Sequence, residues 1–90
     1  MLTESLLYFT MAIDIGGQNK SEILMHRACA YEALGMREMQ VRDMRTINEV
    51  DGGFRVRYME ESNRLEREGF RDRAEKIRLF LQKMDWVVKR

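Results

Sequence analysis

Ninety residues with 44% hydrophobic and 34% charged content suit one small folded domain, being too apolar for a disordered chain and too charged for a membrane one. Sixteen basic against fifteen acidic side chains leave a net charge of +1, so no general attraction draws the chain to nucleic acid or anionic lipid. No apolar run approaches the roughly 20 residues of a bilayer crossing, the amino terminus carries Glu4 in place of a basic signal start, and the lone Cys29 fits a reducing compartment. The expected location is therefore the cytoplasm.

Proline is absent, and glycine occurs only as Gly16-Gly17, Gly35, Gly52-Gly53 and Gly69. Glycine just past the last periodic residue is a common helix stop, so these four sites divide the chain into five helical segments. The first, 3–15, opens on Thr3 as a cap and carries Leu6, Leu7, Phe9, Thr10 and Ile13. The second, 21–34, has Ser21 as its cap, Glu22 in the first turn where an acid suits the helix dipole, and a stripe of Leu24, Ala28 and Tyr31. The third, 37–50, spaces Val41, Met44 and Ile47 at helical intervals. The fourth, 54–68, places Tyr58, Ser62 and Leu65 on one face, and the fifth, 71–88, repeats Ala74, Ile77, Leu81, Met84 and Val88. Glu38–Arg42, Glu60–Arg64 and Asp72–Lys76 are opposite charges four apart, each adding a few tenths of a kcal/mol to its helix. A rival reading exists at 45–59, where Asp51-Gly52-Gly53 would make a hairpin turn and Phe54, Val56 and Tyr58 alternate with arginines as in a half-buried strand.

The period carries the most information. Gly35 and Gly69 lie 34 residues apart, and the same offset pairs Met25 with Met59, Glu32 with Glu66, Arg37 with Arg71 and Asp51 with Asp85. Similar types also pair, among them Ala28 with Ser62, Tyr31 with Leu65 and Ile47 with Leu81. A helix–turn–helix unit of that length is the signature of the tetratricopeptide repeat. The stretch Leu24 to Gly35 (LMHRACAYEALG) resembles the first helix of such a repeat, and Ala12-Ile13-Asp14-Ile15 and Asn48-Glu49-Val50-Asp51 resemble the ending of its second helix. The departures are Gly52 and Trp86 where proline usually closes a repeat, Gln40 where a small residue is usual, and Arg27 and Arg78 at usually apolar places. An irregular five-helix bundle or another helical-hairpin array satisfies the same pattern.

The resemblance implies an all-α, short α-solenoid of five helices in one domain, 1–90, made of a second helix (3–15) and two repeats (21–54 and 55–88). It implies a concave groove lined by Glu22, Met25, Cys29, Glu32 and Ala33 from one repeat and Val56, Met59, Asn63, Glu66 and Arg67 from the next. A family subset clamps chaperone tails through an asparagine and paired bases; here His26 and Met59 stand at two of those places and only Arg55 matches, so chaperone-tail binding is not expected. In the last helix Phe80, Leu81, Met84, Trp86 and Val87 spread over more than one face, which suggests burial against a partner, another copy or further chain.

Catalysis has little support. His26 and Cys29, three apart on one helix, supply two donors and make no metal site, and no phosphate-loop pattern or cofactor motif appears. The expectation is a non-enzymatic adaptor or chaperone-like module without metal or cofactor, binding a protein or peptide or assembling as an oligomer. The alternative is a nucleic-acid-associated protein using the arginines of segment 55–78, among which six acids are interspersed.

Overall fold

A computed structural model describes residues 2–15 and 19–88, with the side chains of 4–15 and 19–88. The described residues are all-α: α1 (Leu2–Ile15), α2 (Lys20–Ala33), α3 (Arg37–Val50), α4 (Phe54–Arg67) and α5 (Arg71–Val88). The hairpin reading of 45–59 is excluded, because Asp51, Gly52 and Gly53 separate two helices. Met44 and Ile47 are both buried, three apart, on the inward face of α3, which strand alternation would not permit. Thr3, the expected cap of α1, is already helical, because the helix starts at Leu2; the expected stop at Gly16-Gly17 falls outside the described residues. Ser21 does not cap α2; the helix starts one residue earlier, behind Asn19, without a side-chain cap bond.

The chain packs as two compact units, Met1–Asp51 and Gly52–Arg90. The first holds α1, α2 and α3 in sequential contact, and the second pairs α4 with α5. Both hairpins turn in the same way. Gly35 (φ 74°) and Gly69 (φ 92°) adopt the left-handed conformation that costs glycine nothing sterically. Gly35 and Met36 donate backbone hydrogen bonds to the carbonyls of Glu32 (3.0 Å) and Tyr31 (2.8 Å), and Gly69 and Phe70 do the same to Glu66 (3.1 Å) and Leu65 (2.8 Å). This is the Schellman closure, which satisfies carbonyls a helix end would otherwise strand. The starts of α2 and α4, of α3 and α5, and both closures recur at a spacing of 34 residues.

Close approach of paired helices rests on Ala28 and Ser62, each 0% exposed at the same place in its unit. Around Ala28 the first unit buries Leu24, Met25, Tyr31, Met44 and Ile47. α1 lays the half-buried Leu6, Phe9, Thr10 and Ile13 inward, with the Phe9 ring stacked on His26 of α2 at 6.0 Å. In the second unit Phe54 is fully buried, its ring 4.3 Å from that of Tyr58 and 6.2 Å, edge to face, from that of Phe80, beside Leu65, Ala74, Leu81 and Met84.

The first core also contains a charge. Arg27 donates through Nε and Nη2 to the two carboxylate oxygens of Asp43 at 2.8 and 2.6 Å, and through Nη1 to Thr10 Oγ1 at 3.3 Å, tying α2 to α3 and α1. Asp43 is 1% exposed. Its hydrogen bonds, more than its charge alone, raise the Arg27 guanidinium pKa above the ordinary value despite partial burial.

Asp43→Ala strands the Arg27 charge and should destabilise the chain by about 3 kcal/mol in urea denaturation, whereas replacing both with apolar residues (R27M/D43L) should restore most of that loss. Gly35→Ala and Gly69→Ala should each lower stability by about 1–2 kcal/mol from left-handed strain alone, since nothing lies within 4 Å of an added Cβ at either. Gly52→Ala, where φ is not left-handed, should be neutral or slightly stabilising by the same measurement.

Candidate interaction surfaces

The groove positions expected on α2 and α4 divide into three groups. Glu22, Cys29 and Ala33 of α2 and Val56 and Arg67 of α4 are exposed, Val56 at 63%. Glu32, Asn63 and Glu66 are exposed but engaged within their own unit. Gln40 Nε2 donates to Glu32 Oε2 at 2.5 Å, and Arg78 Nη2 reaches Asn63 Oδ1 at 3.0 Å and Glu66 Oε2 at 2.9 Å. Glu32 and Glu66 occupy the same place in the repeat, and each accepts from the helix that follows. That explains why an acid recurs there, and why Gln40 and Arg78 depart from small or apolar residues.

Met25 and Met59, placed at equivalent groove positions by the resemblance, differ in burial. Met25 is 8% exposed and belongs to the first core. Met59 is half-buried, its carbonyl accepting the Ser62 hydroxyl at 2.7 Å. The outward α2 position beside Met25 is His26, whose Nε2 lies 3.8 Å from Glu22 Oε1.

The expectation for the last helix needs a similar correction. Phe80, Leu81 and Met84 are 4%, 1% and 4% exposed, so they are core and offer nothing to a partner. A hairpin of two helices has one neighbour to cover a broad apolar arc, and α4 with its Phe54 ring meets the Phe80 side of α5. What remains outward is Leu79 (48%), Trp86 (56%) and Val88 (39%), with Val87 half-buried. Arg55 Nη2 pairs with Asp85 Oδ2 at 2.5 Å, tying the amino end of α4 to the carboxyl end of α5.

Sequence reading missed two apolar features. Phe70 is 49% exposed just beyond its closure, with Arg73 5.8 Å over its ring. On α1, Leu7 (64%), Tyr8 (68%), Met11 (56%) and Ile15 (82%) form an outward stripe. The signal for that stripe lay in the period. The residues 34 later on α3 are Val41, Arg42, Arg45 and Glu49, three of them charged. Those α3 residues, with Arg37, Glu38 and Thr46, line an open concavity of about 610 Å³.

The charged surface of the second unit is largely self-compensated. Arg64 pairs with Glu61 and, at 2.7 Å, with Glu68, in place of the expected Glu60. Hydrogen bonds from Arg64 and Arg78 hold the carboxyls of Glu61 and Glu66, respectively, below the ordinary 4.5. Among the described residues no group of three or more His, Cys, Asp or Glu side chains is placed to hold a metal ion. No described helix is long and apolar enough to cross a membrane. Comparison with protein-family models, curated proteins and solved structures gives no significant match.

The depressed carboxyls set the sign of a pH effect. Glu61 and Glu66 stabilise the fold while ionised, so their contribution is complete above the unfolded value of 4.5 and is lost as pH falls through the lower folded values. Thermal melts should therefore be insensitive to these groups near neutrality and show their loss only below that value. Glu66→Gln should reduce the acid-side fall modestly, and added salt should shrink the difference, because both pairs face solvent.

Proposed function

We propose that this chain is a non-enzymatic protein-interaction module of tetratricopeptide-like helical hairpins. On this reading it binds a protein or peptide partner through the outward faces of α4 and α5. The observation that carries the reading is the recurrence, 34 residues apart, of both helix starts and both glycine closures, the unit length of that repeat family. Supporting it, Val56 near the amino end of α4 and Trp86 near the carboxyl end of α5 leave apolar surface exposed on a unit whose other exposed side chains are mostly polar, as in a contact patch with a polar rim. The contact set proposed for the second unit is narrower than the sequence alone implied: Val56, Met59 and Arg67 on α4, and Trp86 and Val87 on α5.

A nucleic-acid role finds less support. Arg55 and Arg64 are engaged by Asp85, Glu61 and Glu68, which leaves no continuous run of phosphate-facing arginines along α4.

The test is affinity capture on immobilised wild-type protein beside Val56→Asp and Trp86→Asp. Both substitutions are at exposed positions, so far-ultraviolet circular dichroism should be unchanged while bound proteins are lost by tenfold or more. Unaltered capture by both folded variants, or steeply salt-dependent retention on heparin, would refute the assignment. Leu81→Asp is no substitute, because burying a carboxylate in the core would unfold the second unit.

A further inference from the structure

We infer that the outward stripe of α1 is a docking surface for a second copy of this chain, seated on the outward face of its α5. The choice of α5 rests on the binding reading above; the α1 surface does not.

Leu7, Met11 and Ile15 follow one another at four-residue intervals with Tyr8 beside them, so they form one apolar ridge. The matching positions of α3 are Val41, Arg42, Arg45 and Glu49, and those of α5 are Glu75, Lys76, Leu79 and Lys83. Six of these eight are charged, whereas all four on α1 are apolar. The repeat thus tolerates a solvated polar face at these places, and α1 departs from it specifically.

Charge selects the occupant. The charged side chains of α1 are the exposed Glu4, ahead of the stripe, and Asp14, beside its last residue Ile15, and the helix contains no Lys or Arg. An anionic bilayer surface is therefore the wrong partner. A two-fold pairing of α1 with α1 of another copy is wrong as well. Parallel helices would set Glu4 against Glu4 and Asp14 against Asp14, and antiparallel helices would set Glu4 against Asp14 twice. The outward face of α5 has the opposite character. Lys76, Leu79, Lys83 and Trp86 succeed one another at three- and four-residue steps, all exposed, and the acids of the same face, Asp72 and Glu75, come before them at the amino end of the helix. Glu4 and Asp14 lie ten residues apart and Lys76 and Lys83 seven, about 15 and 10 Å of helix, so an antiparallel seating with Asp14 at Lys76 and Met11 at Leu79 leaves Glu4 one turn from Lys83 and Leu7 one turn from Trp86. Seated together, the stripes bury Met11 and Leu7 against Leu79 and Trp86 and set acids beside lysines. The apolar contact supplies affinity, and the charges reject the like-with-like alternative.

Such a contact is heterologous: each copy offers one α1 and one α5, so chains add head to tail unless a ring closes. Light scattering on the wild-type chain should show average mass climbing past that of one copy as concentration rises. Met11→Glu, which disables α1, and Leu79→Glu, which disables α5, should each remain monomeric while keeping native circular dichroism. An equimolar mixture of the two should recover a one-to-one dimer, since the intact α5 of the first fits the intact α1 of the second. Leu7→Glu and Trp86→Glu serve the same design should either first variant fold poorly. A wild-type chain monomeric at every concentration overturns the inference. So does a Leu79→Glu variant that still self-associates, or a mixture that stays monomeric. If the wild type is monomeric yet Trp86-dependent capture of another protein persists, self-docking fails and the binding assignment stands.

Discussion

A left-handed glycine two residues past the end of a fourteen-residue helix is the constraint on which both units depend. At Gly35 and Gly69 the backbone turns back while its last carbonyls stay hydrogen-bonded, so the next helix begins two residues later along the one just ended. Everything buried in each hairpin follows from that reversal. It sets Ala28 and Ser62 at the point of closest approach, where larger side chains would hold the helices apart, and brings Ile47 and Leu81 back against α2 and α4 respectively. Exposed large residues just after the closures, Met36 and Phe70, are part of the same geometry: the residue that donates the closing bond sits at the end of the hairpin, outside its core.

The two units share this frame and fasten it differently. In the first, Arg27 reaches from the middle of α2 to Asp43 and Thr10, placing one ion pair inside an otherwise apolar three-helix contact. At the corresponding places the second unit has Glu61 and Ile77, and among its described residues no charged side chain is buried. Its polar fastening has moved to the rim, with Arg55 on Asp85 near one end and Arg78 on Asn63 and Glu66 farther along. A buried pair of the first kind adds little net stability over apolar packing but penalises any arrangement that separates its partners. For α1 and α3, which both meet α2, that penalty helps specify register. A lone hairpin has fewer alternatives to exclude, and rim pairs suffice.

Helix existence, order and nearly all boundaries were legible in the sequence because the signals are local: absence of proline, glycine stops and apolar spacing. The period was legible for the same reason, since the closure glycines are the residues a substitution would strain most. The candidate surfaces were only partly legible. Asp43 reads as an ordinary surface acid until its partner across the hairpin is known, and Arg27 reads as a departure from a motif for the same reason. Asn63 and Glu66 looked available because the reach of Arg78 is a tertiary fact. Phe80, Leu81 and Met84 looked like an excess of apolar surface because periodicity alone does not tell how wide an arc one neighbouring helix covers.

The α1 stripe shows how a repeat converts that weakness into information. An exposed leucine or methionine is unremarkable by itself, since much of any folded surface is apolar. Position-matched helices in the same chain supply the missing reference. If α3 and α5 keep charge where α1 places Leu7, Tyr8, Met11 and Ile15, solubility in water is compatible with charge at those sites, and the apolar set on α1 calls for a cause of its own. The acids Glu4 and Asp14 near its two ends narrow that cause to a surface carrying bases between its apolar residues. The chain presents such a surface on α5, so self-complementarity needs no component beyond a second copy.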